Sequence, residues 1–554
     1  MEKVRLFALG GLDEDGKNLT VIEIDQKIFV IDAGLKYPED EYLGVEIIIP
    51  DFSYLVENKD RIKAIFITHA HDDVMASLPF LLKSIKAPIY TTPLTALVLE
   101  DLFKASNVFD FDLRRIQRDG TFKIADTNIM TFGLTHSIAD AFGLAIETSL
   151  GYIAYVGEFI IDFDNRNKAF ACDITQFSDL GKKGVFALLT ESVGSDRSGF
   201  TSPTHRISDF LENTLEDTKG RMIVTLYEQN LFRLLEVIEM AVKFKRKIFF
   251  YNQNQRELLR KVEKLGYFKM PMGIEISKEM FRNERTDVIV VVSGSGLKVF
   301  KMMHRIAMRE DSIIELNKSD TVVIASPVVP GTELEAGRME NELYKEDVRV
   351  YSLNRKQFVS MHASIEDLKM LMYLVKPKYY IPIHGEYRHL VNNANIALDM
   401  GYYADKIIVL DNGQIATFID GKLNDTKDLL KLEEIMIDRS EHQDISGLIL
   451  KDRELLATDG VIIIGVVINF TTKKIIGGPD VQSRGVIYLK DADYIVKELG
   501  NIIENTIEEM VKDRRYENAN CRNEVKERMT RYIAKETGKR PMVLPVIIEL
   551  NVQE

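Results

Sequence analysis

At 554 residues, 45% hydrophobic and 28% charged, the chain is too long for one compact core and reads as about three globular domains. A formal charge of −13 excludes a broad basic surface that wraps nucleic acid by charge alone. No apolar run nears the ~20 residues of a membrane span, residues 1–5 enter a strand rather than a secretion signal, and Cys172 and Cys521 form no thiolate pattern, so a cytoplasmic protein with no membrane contact is expected.

Short apolar strands dominate the first part of the chain, at 4–9, 19–24, 28–31, 64–68, 128–134, 144–148, 152–156 and 186–190. Only a few helices, such as 94–103, fall between them, which predicts layered sheets. From residue 203 the pattern changes to regular alternation: helix 207–215 before strand 222–226, helix 231–242 before strand 247–251, and helix 256–265 before strand 287–292. Strand 321–325 closes the series, and the alternation predicts a parallel sheet flanked by helices. Past residue 347 the first style returns with helix 365–375, strand 379–383 and a hairpin, 406–419, turned by Asp411-Asn412-Gly413. One domain, 1–203 with 347–426, is therefore expected to carry a second, 204–346, as an insertion. Residues 427–448 read as a charged linker. The final unit, 449–554, reads as α+β, with strands 461–470, 486–489 and 542–550, a helix 524–535, and a helix whose apolar face is Ile495, Leu499, Ile502, Ile503, Ile507 and Met510.

The most informative segment is Ile65-Phe66-Ile67-Thr68-His69-Ala70-His71-Asp72-Asp73-Val74. A strand runs straight into two imidazoles and two carboxylates within five positions, the donor set of a metal site. A lone His-x-His is more often a polar loop. Here, however, five of nine histidines (His69, His71, His136, His362, His384) stand at strand ends beside Gly, Ser, Asp or Glu, and the insertion lets the early and late ones share one cleft. His205 and His304 fit no such position and read as surface or capping residues, and His389 with Arg388 either as a rim of that cleft or as residues without a role. Ser293-Gly294-Ser295-Gly296 reads equally as a phosphate cradle and as a tight turn.

Taken together, these segments resemble the ribonuclease J family, the bacterial branch of the β-CASP metallo-β-lactamases, and within it a degenerate paralogue. The resemblance covers essentially the whole chain and rests on Ala8-Leu9-Gly10-Gly11, Val30-Ile31-Asp32-Ala33-Gly34-Leu35, Thr135-His136-Ser137-Ile138-Ala139-Asp140, Met361-His362-Ala363-Ser364 and Pro382-Ile383-His384-Gly385-Glu386. It implies an α/β fold: a metallo-β-lactamase αββα sandwich, an inserted parallel α/β β-CASP domain and a small C-terminal α+β domain. It further implies a first metal held by His69, His71, His136 and Glu158, and a second by Asp73, position 74, Glu158 and His384. Two positions depart from the family. Val74 replaces a histidine ligand, and Glu158, in Val156-Gly157-Glu158-Phe159, replaces a bridging aspartate, moving the oxygens by one methylene, about 1.5 Å. One strong and one weak site for Zn²⁺ or Mn²⁺ are expected.

The resemblance also gives Asp73, His362 and Glu191 catalytic roles, with Glu191 orienting His362 toward the scissile phosphate, and a phosphate pocket over Phe358, Val359, Ser360, Met361, His362 and Ser364. Met361 stands where the family has glycine. The expected activity is metal-dependent 5′-to-3′ exoribonuclease action, with weaker endonucleolytic cutting, attenuated by Val74, on single-stranded RNA with a 5′ monophosphate in ribosomal RNA maturation and mRNA decay. Expected partners are a second copy or a ribonuclease J paralogue, within an RNA-degradation complex. A competing expectation is an inactive RNA-binding scaffold for an active paralogue. A small-ester or lactam hydrolase is disfavoured by the insertion and the His362 motif.

Overall fold

The computed structural model describes residues 2–38, 44–165, 167–283, 287–329, 331–353, 360–438, 447–486 and 493–551. Two sheets carry the first and late segments. One orders eight strands as Lys422–Asp425, Ala416–Ile419, Lys3–Gly10, Leu19–Ile24, Lys27–Ile31, Ile62–Phe66, Pro88–Thr91 and Asp112–Arg115. The other orders six as Tyr379–Ile383, Val185–Glu191, Gly151–Val156, Phe142–Thr148, Thr127–Gly133 and Gly120–Ile124.

Strand periodicity explains how they stack. Val4, Leu6, Phe29, Ile31 and Phe66 of the first sheet meet Phe142, Leu144, Ile153, Leu189 and Ile381 of the second in one core. The alternate residues point the other way. Phe7, Val21, Val30 and Ile65 pack under helix Pro93–Ala105. Phe132, Ala154, Val156 and Leu188 pack under helices Thr175–Lys183, Ile365–Val375 and Tyr387–Asp399. The result is the expected helix–sheet–sheet–helix order.

The inserted segment forms a five-stranded, wholly parallel sheet: Lys247–Phe250, Val288–Gly294, Met222–Tyr227, Thr321–Ile324 and Arg349–Ser352. Its strands are Val/Ile-rich because both faces are covered. Val290, Val292 and Ile324 lie under helices Leu297–Ala307 and Glu333–Lys345. Val224, Leu226 and Val291 lie under Leu231–Lys243 and Gln253–Lys264, in a core continuous with that of the first sheet.

From Asp438 onward the chain belongs to a separate compact unit. Strands Ile475–Arg484, Val461–Asn469 and Met542–Leu550 form one sheet, and helices Asp493–Lys512 and Asn518–Thr537 pack on a single face of it through Leu499, Ile503, Val525 and Met529. No helix among the described residues is long and apolar enough to cross a membrane.

Strands Val45–Ile49, Pro88–Thr91, Asp112–Arg115, Gly120–Ile124 and Lys422–Asp425 are additional to those expected, and four expected elements differ. The parallel sheet does not close with 321–325; Arg349–Ser352 adds a fifth strand. The Asp411–Gly413 turn forms, but its arms go to different sheets: Ile407 bridges Tyr380, whereas Ala416–Ile419 pairs with Lys3–Gly10 and makes its hairpin with Lys422–Asp425 instead. Burial of Ile408 and Leu410 in the sandwich core draws the first arm away. Within the presumed linker, Ile435–Asp438 is a strand paired with Val45–Ile49. Expected strand 486–489 lies, beyond Val486, outside the described residues, and the strand that pairs with Val461–Asn469 is Ile475–Arg484.

Candidate metal centre

Strands Gly151–Val156, Val185–Glu191 and Tyr379–Ile383 run parallel, so Glu158, Glu191 and His384 emerge at one edge of the second sheet. Thr127–Gly133 is antiparallel to a strand that is itself antiparallel to Gly151–Val156, which places His136 at the same edge. The facing sheet contributes His69, His71 and Asp73 just beyond strand Ile62–Phe66. The ends of two sheets thus meet over one spot. Sharp turns are needed there: Asp32 (φ 66°), Asp140 (φ 67°) and His384 (φ 58°) all occupy the left-handed region, strain of the kind that collects at functional sites.

Ligand-type atoms of His69, His71, His136 and Glu158 all lie within 4.8 Å of one another. Glu158 Oε2 is 3.1 Å from His136 Nε2 and 3.4 Å from His69 Nε2. The opposite ring nitrogens are held from behind. His136 Nδ1–H donates to the Met361 carbonyl at 3.0 Å, His69 Nδ1 meets Thr68 Oγ1 at 3.0 Å, and His71 Nε2 meets Ser137 Oγ at 3.1 Å. Those contacts leave His69 Nε2, His71 Nδ1 and His136 Nε2 as inward lone pairs. His71 Nδ1 and His136 Nε2 stand 3.4 Å apart, and His69 Nε2 and His384 Nδ1 are buried with no hydrogen-bond partner among the described residues.

Asp73 and His384 flank this cluster. Asp73 Oδ2 accepts from Asn18 Nδ2 at 3.1 Å. His384 Nδ1 is 3.9 Å from Glu158 Oε1, while its Nε2 meets the Tyr155 hydroxyl at 2.9 Å, which also reaches Asp32 Oδ2 at 3.0 Å. Val74 is fully buried and its side chain has no metal-binding atom, with its backbone carbonyl accepting from the Ala33 N–H at 2.7 Å.

The electrostatics match the donor set. Burial holds His69 below the usual imidazole range, burial with His69 and His136 nearby holds His71 well below it, and burial takes His384 down to about 4. These rings are neutral at ordinary pH, the form that binds metal. Burial alone would raise Glu158, but the imidazoles of His136 and His69 pull it well below the carboxylate range; burial and the Glu158 charge push Asp73 well above it. Three inward lone pairs and a carboxylate converging on one point are the donor set of a divalent ion, so the residues present fit Zn²⁺ or Mn²⁺.

Beside the cluster, buried Glu191 accepts from His362 Nδ1 at 2.7 Å and from the Phe159 and Ala363 amides at 2.8 and 2.9 Å. Burial disfavours a charged His362, yet the Glu191 charge and hydrogen bond outweigh it and bring the ring up to about 9. Ser360 Oγ accepts from Arg197 at 3.0 Å. Ser364 is 1% exposed and its hydroxyl lies 2.7 Å from that of Thr201, at the start of helix Ile365–Val375. Met361 is buried in the apolar core, so its side chain leaves the pocket clear. Phe358 and Val359 lie outside the described residues.

The sequence model of the metallo-beta-lactamase superfamily matches residues 12–140, and that of the ribonuclease J beta-CASP domain matches 219–343. A zinc-dependent metallo-hydrolase RNA specificity domain matches 348–403, and the ribonuclease J C-terminal domain matches 448–550. Ribonuclease J 2 of Staphylococcus epidermidis is 30% identical over 549 residues, spanning 99% of this chain and 98% of that protein. The Staphylococcus aureus protein of the same name is 30% identical over 550 residues, with the same coverage. This chain belongs to the ribonuclease J family. A crystal structure of a protein of unknown function from Enterococcus faecalis V583 shares the fold, with a TM-score of 0.52 at 16% identity over 75% of this chain and 100% of that one.

Within the ribonuclease J frame, several side chains that shape the centre carry no signal in the sequence. Tyr155 and Asn18 act through contacts made after folding, and the contact of Ser137 with His71 is likewise not readable from the motif that contains it. Arg118 is another: its guanidinium donates to the carbonyls of Leu134, Ala141, Lys168 and Ala171, tying down the loop that carries His136. His205 is not a surface or capping residue. It is fully buried against Phe232, with Nε2 3.7 Å from Asp162, and burial takes it down to about 4. The Gly294–Gly296 loop is a tight strand-to-helix turn, and Tyr37 lies against Gly296.

Proposed function

We propose that this chain is a metal-dependent ribonuclease of reduced activity, removing nucleotides from the 5′ end of single-stranded RNA and cutting internally at a lower rate. The observation that carries the reading is the convergence of His69 Nε2, His71 Nδ1, His136 Nε2 and Glu158 on one point. These four would hold one ion firmly. Asp73, Glu158 and His384 would hold a second weakly, because Val74 contributes nothing. A bound divalent ion supplies the charge that polarises a phosphodiester and acidifies a water.

The rest is done by side chains. Glu191 fixes Nδ1–H of His362, which leaves Nε2 free toward the cleft; as an imidazolium, it donates a hydrogen bond to a phosphate oxygen and can pass a proton to the leaving oxygen. Ser360 and Arg197 stand beside it as phosphate donors, with Met361 to Ser364 forming the pocket floor. Asp73, held by Asn18, orients the attacking water. Residues 1–203 with 347–426 would be the metallo-β-lactamase domain, 204–346 the β-CASP domain, 427–448 a linker and 449–554 the C-terminal domain. The cellular setting would be cytoplasmic ribosomal RNA maturation and mRNA decay, as a dimer or with a ribonuclease J paralogue.

The test is 5′-monophosphorylated RNA incubated with and without Mn²⁺, using wild type and a His69→Ala/Asp73→Ala double variant. Slow, Mn²⁺-stimulated loss of nucleotides from the 5′ end in wild type alone is expected; equal degradation by both proteins overturns the reading. Val74 favours one alternative, an RNA-binding scaffold for an active paralogue. Wild type that binds RNA without cutting it, and accelerates a paralogue, would establish that instead.

A further inference from the structure

The turn after strand Met222–Tyr227 reaches both loops that present His71. Gln229 makes a reciprocal pair with Asp72: its Nε2 donates to Asp72 Oδ1 at 2.9 Å, and its Oε1 accepts from the Asp72 backbone N–H at 3.3 Å. The other Asp72 oxygen accepts from the Tyr37 hydroxyl at 2.7 Å, and the Tyr37 ring abuts Gly296, so the same layer touches this loop twice. Three residues past Gln229, the Phe232 backbone N–H donates to the Ser137 carbonyl at 2.9 Å, and the Ser137 hydroxyl is the group on His71 Nε2. The Asp72 carboxylate is therefore spent on Tyr37 and Gln229 although it stands between His71 and Asp73. His71 is bracketed from two directions by one turn of the inserted layer.

We infer that Gln229 is a positioning residue for the metal centre, and that ion affinity is coupled through it to the seating of the parallel-sheet layer on the sandwich. The inference rests on reading the cluster as a metal centre. Groups that hold ligands in place contribute to affinity without touching the ion, and the coupling runs both ways: an ion that orders the loop also tightens the seating.

The experiment uses the full-length protein and four variants: Gln229→Ala, Asp72→Ala, the pair combined, and His69→Ala. Zn²⁺ affinity is measured by competition with a chelating dye, amide exchange of segment 69–75 by mass spectrometry on metal-free protein, and metal-free stability by urea titration. Gln229→Ala should weaken Zn²⁺ binding by about tenfold or more, accelerate exchange in segment 69–75, and leave the urea midpoint unchanged. In the Asp72→Ala background it should add less than in wild type, because only the bond to the backbone N–H of residue 72 is left to lose. Wild-type affinity and exchange in Gln229→Ala, full additivity with Asp72→Ala, or an equivalent loss of metal-free stability would overturn the inference. If wild type and His69→Ala bind Zn²⁺ alike, the metal-centre reading is what fails, and the exchange of segment 69–75 still decides whether Gln229 holds the loop.

Discussion

Val74 is held on both sides, its carbonyl accepting from Ala33 at 2.7 Å and its amide donating to the His71 carbonyl at 3.3 Å, so the backbone at position 74 is already placed for a side chain beside Asp73. Val74→His should raise bound metal from about one ion per chain toward two and increase RNA cleavage at least tenfold, measured by elemental analysis and a 5′-end assay. Fitting an imidazole into a filled space costs about 1–3 kcal/mol, so a lower urea midpoint in the metal-free variant is expected. The second prediction at this scale concerns His362, which folding brings from 6.5 up to about 9. A raised value means that the folded state binds the proton more tightly, so the stabilisation is complete below about 6.5 and disappears as pH climbs through about 9. Metal-free protein should therefore lose urea resistance between pH 7 and 10, and the slope should be absent in His362→Gln. Glu191→Gln removes the anion that holds the His362 proton, so the ring goes neutral near pH 7; this should cost about 2–3 kcal/mol there and flatten the same slope.

At the scale of elements, the centre depends on backbone passing close to backbone. A Cβ on Gly34 would lie 1.5 Å from the Asp73 carbonyl oxygen, with no flexible side chain there to yield. Gly34→Ala should therefore displace the 69–75 loop, costing about 3 kcal/mol or more and abolishing tight Zn²⁺ binding, as urea titration and dye competition would show. Elements with strong periodicity were legible in the sequence: most of the sandwich strands, the alternating insertion and the candidate ligands at strand ends, whereas the short strands Pro88–Thr91, Asp112–Arg115, Gly120–Ile124 and Lys422–Asp425 were not. The hairpin at Asp411–Gly413 was misplaced because a turn signal is local, whereas the need to bury Ile408 and Leu410 is not. Ile475–Arg484 escaped notice because Gly477-Gly478-Pro479 interrupts it and its side chains are only partly buried. Tyr155, Asn18, Gln229 and the Met361 carbonyl were invisible for a related reason. Tyr155 meets His384 across 229 positions of chain, and no spacing rule spans that distance.

Across the whole molecule there are two compact units with separate cores. Calorimetry should resolve two transitions, and Zn²⁺ should raise only the one belonging to the unit that contains His69; at a hundredfold excess over Kd the gain is about 2.7 kcal/mol. The candidate ligands do not come from one sheet. His69 and His71 belong to the end of one layer, His136, Glu158 and His384 to the end of the other. An ion seated among them would be a rivet through the sandwich, and a chelator would act on this chain as a mild denaturant. In a zinc- or manganese-starved cell the unriveted form would open more often and be cleared sooner by proteases, so that the amount of this protein, and not only its turnover of RNA, would follow the supply of metal.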